Sequence, residues 1–227
     1  MRPGSAMEAV LPGGAEACLT VLSLTGNTIV AGRAVPAPAE ICRLPPFYLF
    51  QALPKGAKMD LIVRQAAEAG IFRIVPFFSE YSQIRVSREE KQGRWERIIK
   101  EARQQSGSSV PTSIGEPLDL DGLLEYWKKI SAEVPGGTGI LLHQNPLEPG
   151  TFHDYLDISP SFVVLAVGPE GGFSPEEAGK FVSAGFRPLV MGNTVLRAET
   201  AALYGIAAIR TILSERASWL LKKNQSL

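Results

Sequence analysis

Two loops poor in side-chain bulk hold the residues of this sequence best suited to binding a small ligand. The first is Val167-Gly168-Pro169-Glu170-Gly171-Gly172-Phe173, in which three glycines fall within five residues. Backbone bare of Cβ atoms lets a ligand come close, and it equally suits a plain strand-to-helix turn. The loop lacks the Gly-Lys-Ser/Thr of a P-loop. Its spacing is not Gly-x-Gly-x-x-Gly, and the next strand ends at Met191 instead of the acidic residue that would hold a ribose hydroxyl. A dinucleotide fold is therefore disfavoured. The second loop runs Met191-Gly192-Asn193-Thr194-Val195-Leu196-Arg197 and enters a helix at Ala198-Glu199-Thr200-Ala201. Gly192-Asn193 tolerates positive φ, and Glu199 suits a first helical turn through the helix dipole. Ligands of α/β proteins bind beyond the carboxyl ends of strands, so two such loops at successive strand ends read as one pocket.

A third candidate is the basic run Arg85, Arg88, Lys91, Arg94, Arg97, Lys100 and Arg103, interleaved with Glu89, Glu90, Glu96 and Glu101, a local excess of three positive charges. Three residues fall about 60° short of a helical turn, so the charges spiral instead of forming one stripe. With Trp95 toward the core, Arg97 and Lys100 face away while Arg94 and Arg103 flank it. A solvated face and a phosphate-binding face both fit, with Gln104, Gln105 and Ser106 as further polar groups. His143 and His153 lie outside both loops and read as structural. Cys18 and Cys42 make no disulfide framework and have no partner at zinc-ligand spacing, so no metal is expected.

The elements that position these loops alternate in type. Phe47 to Leu53, Ile71 to Phe77, Ile140 to His143, Phe162 to Val167 and Pro188 to Met191 read as short strands of a sheet buried on both faces. Lys58 to Ala69 reads as a helix closed by Gly70, and Glu89 to Gln104 as another, with Trp95, Ile98, Ile99 and Ala102 on one face. Ser174, Pro175 and Glu177 form a capping box with proline at the first helical position, and Gly185 stops that helix. In the last helix Ala201, Ala202, Gly205, Ala207 and Ala208 leave little bulk between Leu203, Ile206 and Ile209, which suits either a core helix or a subunit contact. The alternation argues for a parallel α/β layer.

The first 45 residues differ in texture. Met7 to Leu11, Ala17 to Leu24 and Thr28 to Val30 read as hairpin strands separated by Pro12-Gly13-Gly14 and Gly26-Asn27. Leu44-Pro45-Pro46 marks the boundary. Across all 227 residues Lys plus Arg equals Asp plus Glu at 23 each, which excludes nucleic-acid binding by bulk charge. The longest uncharged stretch, Ala17 to Gly32, is 16 residues, too short and too broken by Gly26-Asn27 for a spanning helix. No apolar signal segment follows Met1, so a reducing, cytoplasmic location is expected.

Taken together, Gly168-Pro169-Glu170-Gly171-Gly172-Phe173-Ser174, Met191-Gly192-Asn193 with Val195-Leu196-Arg197-Ala198-Glu199-Thr200-Ala201, Lys55-Gly56 with Lys58-Met59-Asp60, and Arg94-Trp95 with Ile98 and Glu101-Ala102 resemble a known family. They match the RsmE-type small-subunit ribosomal RNA uridine N3-methyltransferases of the SPOUT class, in order, over Phe47 to Arg216. The resemblance implies an α/β fold with a SPOUT-type knotted (trefoil) parallel sheet flanked by helices over 46–227. It implies a truncated PUA-like, RNA-binding β-barrel over 1–45, with the natural start upstream of Met1. It further implies S-adenosylmethionine held by Leu142, Gly168, Pro169, Glu170, Gly171, Gly172, Met191, Gly192, Asn193, Val195, Leu196 and Arg197 at a homodimer interface. The implied substrate is 16S ribosomal RNA of the small subunit, contacted by Arg85, Arg94, Arg97, Lys100 and Gln105, with no membrane and no metal involved. Gly107-Ser108-Ser109 stands where the family carries an Arg after its Gln-Ser.

On that reading Arg197 is the catalytic candidate, its guanidinium stabilising the anion that develops on the uracil oxygens, while Glu199 orients Arg197 or caps the helix. Two other classes stay open at this point. A non-catalytic RNA-binding module of the same fold would bind no cofactor, and a nicotinamide-dependent oxidoreductase is already weakened by Met191.

Overall fold

Short runs rich in Val, Leu and Phe cannot leave either face in water, and here they pair into one parallel sheet. The computed structural model describes residues 2–3, 6–10, 16–26, 28–36, 44–82, 88–144, 151–156 and 159–224. In chain order the elements are β1 (Ala6–Val10), β2 (Glu16–Thr25), β3 (Thr28–Pro36), β4 (Phe47–Ala52), α1 (Lys58–Glu68), β5 (Arg73–Phe77), α2 (Arg88–Ser106) and β6 (Ser113–Ile114). There follow α3 (Leu120–Glu133), β7 (Thr138–Leu142), α4 (Phe152–Leu156), β8 (Val163–Val167), α5 (Pro175–Ser183), β9 (Arg187–Leu189) and α6 (Ala198–Asn224).

The chain divides into two compact units, Met1–Arg43 with Ser109–Pro111, and Leu44–Ser108 with Thr112–Leu227. In the first, β1, β2 and β3 form an antiparallel meander. Gly26 takes a φ of +58° in the β2–β3 turn, a conformation cheap for glycine. Leu11, expected to end the first strand, lies outside the described residues. The third strand runs past its expected end at Val30 to Pro36.

In the second unit six strands lie in the order β6-β5-β4-β8-β7-β9, every pair parallel. Successive side chains point to opposite faces, and both faces are buried. Leu49, Ile74, Ile140 and Leu165 pack with Ile62 of α1, Trp95 and Ile98 of α2, and Ile206 and Ile209 of α6. Phe50, Val75, Leu141 and Val164 pack on the other side with Leu123 and Trp127 of α3 and Phe181 of α5. Each such side chain, fully withdrawn from water, contributes about 1.5–3 kcal/mol.

Element ends follow local chemistry. Gly70 at φ +70° closes α1, and the Ile71 amide still donates back to the Ala66 carbonyl, so β5 begins at Arg73 and not at Ile71. The α5 capping box forms as its residues predict, with Pro175 opening the helix. Helix α3 is additional to the elements read from the sequence. Asp119 caps it by accepting from the Gly122 amide, and Leu123, Trp127 and Ile130 bury one face. Among the described residues strand β9 pairs only with β7, and Val190 and Met191, expected to complete it, leave the sheet. On α6 a Cβ at Gly205 would sit 2.8 Å from Leu165 Cδ2 and 3.1 Å from Leu142 Cδ1. The missing side chain lets the helix rest directly on β7 and β8, while Leu203 and Tyr204 stay exposed.

Candidate functional site

Leu142, Val167 and Leu189 end three neighbouring strands at the same edge of the sheet, with Leu142 opposite Leu189 in register. The chain leaving β8 and the chain leaving β9 therefore start side by side. They enclose one cleft of about 990 Å³. Of the twelve positions expected to hold a cofactor, ten line it: Leu142; Gly168, Pro169, Gly171 and Gly172; Met191, Gly192, Asn193, Val195 and Leu196. Glu170 and Arg197 do not.

The loop leaving β8 is held in place from several directions. The Gly172 amide donates to the Pro169 carbonyl, and Gly172 needs its φ of +71° to close that turn. A Cβ at Gly168 would come within 3.1 Å of Gly172 backbone, and one at Gly171 within 3.0 Å of Tyr81 Cβ. The glycines expected to admit a ligand are thus also demanded by the loop's own packing. Behind them lies Glu177, a buried carboxylate. It accepts from the Ser174 amide (3.0 Å), from Ser79 Oγ (3.0 Å) and from the Glu80 amide (2.9 Å). These bonds join the start of α5 to the segment after β5 and set Tyr81 against Gly171.

Glu170 turns away from the cleft. It accepts from Lys58 Nζ at 2.6 Å and from the Lys55 amide at 3.1 Å. Burial pushes its carboxyl up, but the hydrogen bonds from Lys58 and from backbone amides outweigh this and hold it below the ordinary glutamate value. The expected pairing of Glu199 with Arg197 is not formed. Glu199 lies instead 3.9 Å from Lys58 Nζ, and no described residue forms an ion pair with the exposed Arg197. The reason is geometric: Arg197 precedes α6 and faces solvent, whereas Glu199 sits in its first turn beside α1.

His143 and Gln144, polar groups not singled out in the sequence as ligand contacts, also line the cleft, as does Thr194 within the second loop. Their signal was position alone, since His143 and Gln144 directly follow β7. Of the basic run, Arg85 lies outside the described residues. Arg94 is engaged by Asp60, its Nε donating at 2.9 Å and its Nη2 lying 2.6 Å away, while Trp95 Nε1 donates to the same carboxylate. Arg97, Lys100 and Gln105 are exposed. Among the described residues no group of three or more His, Cys, Asp or Glu could hold a metal ion, and no helix is long and apolar enough to cross a membrane.

A parallel sheet flanked by helices, with two Gly-containing loops closing over one cleft at its carboxyl edge, defines a ligand-binding α/β protein. Residues 42–210 match the RNA methyltransferase domain family, and the chain belongs to that family. It is 33% identical over 170 residues to the ribosomal RNA small subunit methyltransferase E of Synechocystis, covering 74% of this chain and 54% of that protein. It is 33% identical over 163 residues to the enzyme of the same name from Aquifex aeolicus, covering 70% of this chain and 66% of that one. The chain thus spans between about half and two thirds of the length of these relatives. Among solved structures, a Legionella pneumophila protein in complex with the bound cofactor SAM superposes with a TM-score of 0.74 at 27% identity, covering 93% of this chain and 85% of that one. The ribosomal RNA small subunit methyltransferase E of Neisseria gonorrhoeae, bound to S-adenosyl methionine, has the same fold, with a TM-score of 0.75 at 24% identity over 93% and 85% of the chains.

Proposed function

We propose that this chain methylates N3 of a specific uridine in 16S ribosomal RNA of the small ribosomal subunit, using S-adenosylmethionine. The observation that carries the reading is the meeting of Gly168–Gly172 and Met191–Leu196 around one cleft in a chain of the RNA methyltransferase family. The names of the Synechocystis and Aquifex relatives support the substrate, and the Legionella complex supports the cofactor.

The residues present fit the cofactor. Leu142, Met191, Leu196, Ala198 and Ala201 supply apolar walls for an adenine face, while the loop backbones offer amides and carbonyls for its edges. Glycine at 168, 171 and 172 lets that loop close on its own backbone and pack against Tyr81 and Gln144, which shapes the surface. When bound, S-adenosylmethionine supplies an electrophilic sulfonium methyl group. The chain's own task is to place uracil N3 in line with it and to steady the negative charge on the uracil oxygens once the imide proton has passed to solvent water. Arg197, next to cleft-lining Leu196 and Ala198 and without an ion-pair partner among the described residues, is the candidate for that charge.

Arg97, Lys100 and Gln105 form the accessible part of the RNA-binding candidate, and Arg94 joins only by giving up Asp60. The same reading holds that the sheet is knotted as a trefoil, that residues 1–45 belong to a PUA-like RNA-binding barrel and that the protein acts in the cytoplasm as a homodimer. The exposed Leu203 and Tyr204 of α6 suit a partner surface. The test is incubation with S-adenosylmethionine and unmethylated small ribosomal subunits, followed by mass spectrometry of the 16S RNA. One new 3-methyluridine is expected; unmodified RNA together with no calorimetric binding of the cofactor would overturn the reading.

A further inference from the structure

Lys58 opens α1, just beyond the carboxyl end of β4, and faces two carboxylates from distant parts of the chain. Its ammonium lies 2.6 Å from Glu170 Oε1 and 3.9 Å from Glu199 Oε2. Glu170 belongs to the loop leaving β8, and its neighbours Pro169 and Gly171 line the cleft. Glu199 belongs to the first turn of α6, where Ala198 and Ala201 line the same cleft. The two walls therefore each send a carboxylate backward, away from the cavity, onto one cation.

The second carboxylate is the more telling. Glu199 Oε2 is buried and accepts no hydrogen bond. A buried carboxylate oxygen without a donor is costly, and Lys58 is the cation within ion-pair range of it. A compact ammonium on a flexible stem carries three donors, so it can serve Glu170 and Glu199 together. Without it two like charges would face each other across the back of the walls.

We infer that Lys58 is a positioning residue that fastens the two walls of the cleft together and sets its width for the adenosyl ligand. The inference rests on the cleft being the S-adenosylmethionine pocket, and its test separates the two claims. Hydrogen exchange is followed in the cofactor-free protein for the wild type, Lys58→Met, Lys58→Arg and Glu199→Gln, with S-adenosylmethionine affinity measured by calorimetry and folding by thermal unfolding. Lys58→Met is expected to speed exchange in residues 168–172 and 191–201 together and to weaken cofactor binding about fivefold, the scale of a partly exposed charge-assisted pair. Lys58→Arg restores most of both. Glu199→Gln, which keeps the tighter pair with Glu170, speeds exchange at the start of α6 alone and serves as the deciding variant if Lys58→Met fails to fold. Unchanged exchange at 191–201 in both Lys58→Met and Glu199→Gln would overturn the clamp. Wild-type protein that binds no cofactor would overturn the pocket assignment, and the exchange data would still decide the clamp.

Discussion

The two walls of the cleft are built on opposite plans. The wall after β8 is fastened throughout: Gly168 and Pro169 are buried, Glu170 is held by Lys58 and the Lys55 amide, Gly171 is pressed on Tyr81, and Glu177 ties the following helix to Ser79 and Glu80. The wall after β9 is open. Gly192 adopts a φ of +76° with empty space where its Cβ would be, residues 192–195 are exposed, and Val195 shows 72% of its surface. A pre-formed floor lowers the entropy cost of binding, and an open wall leaves room for a substrate to reach it. Damage to the first wall should register as lost stability, and damage to the second as lost function.

The largest effect belongs to the fastened wall. Glu177→Ala strands three donors, the Ser174 amide of the α5 capping box among them, while leaving the Ser174 cap itself in place, costing about 3 kcal/mol in urea denaturation. Next comes the open wall's charge: Arg197→Ala should lower single-turnover methylation about 100-fold, leaving cofactor affinity and melting temperature nearly unchanged. Equal loss of turnover and affinity would remove Arg197 from its proposed role. Gly171→Ala brings a methyl group to 3.0 Å from Tyr81 Cβ, which only a backbone shift relieves, and should cost about 1–2 kcal/mol of stability.

Glu170→Gln should cost less than about 1 kcal/mol at neutral pH, because the pair is partly exposed. The native carboxyl titrates below its ordinary value of 4.5, so its contribution is complete above that range and is lost as pH falls through the lowered native value. The stability gap between wild type and Glu170→Gln should accordingly close in acid, read from denaturation curves at several pH values. Smallest of all, Val195→Ser should leave stability within about 0.5 kcal/mol, as expected for an exposed side chain. A larger loss would show that the second wall is as firmly packed as the first.

Local chemistry was readable in advance, and distant chemistry was not. Ser174, Pro175 and Glu177 announce the start of α5 because a capping box spans only four residues. The apolar face of α2 follows from Trp95, Ile98, Ile99 and Ala102 by the same short-range logic. Helix α3 carries comparable short-range signals in Asp119, Leu123, Trp127 and Ile130, a cap and one apolar face. The partners of Glu170 and Glu177 lie about a hundred residues away in sequence, at Lys58 and at Ser79 and Glu80, and no periodicity reports such pairings. For the same reason, of the two roles the sequence offers Glu199, orienting Arg197 or capping α6, neither points to Lys58, to which folding delivers it. Nine of the ten cleft positions lie in the two loops to which the family resemblance pointed, and the tenth, Leu142, ends neighbouring β7; the cleft's His143 and Gln144 carried no type-specific mark.

Hydrogen exchange of the protein with and without saturating S-adenosylmethionine bears most directly on the two loops forming one methyl-donor site. The account predicts slower exchange in 168–172 and 191–196 together, with the larger change in 191–196, where the free wall has least to hold it. Protection confined to one of the two segments, or located away from both, would contradict it.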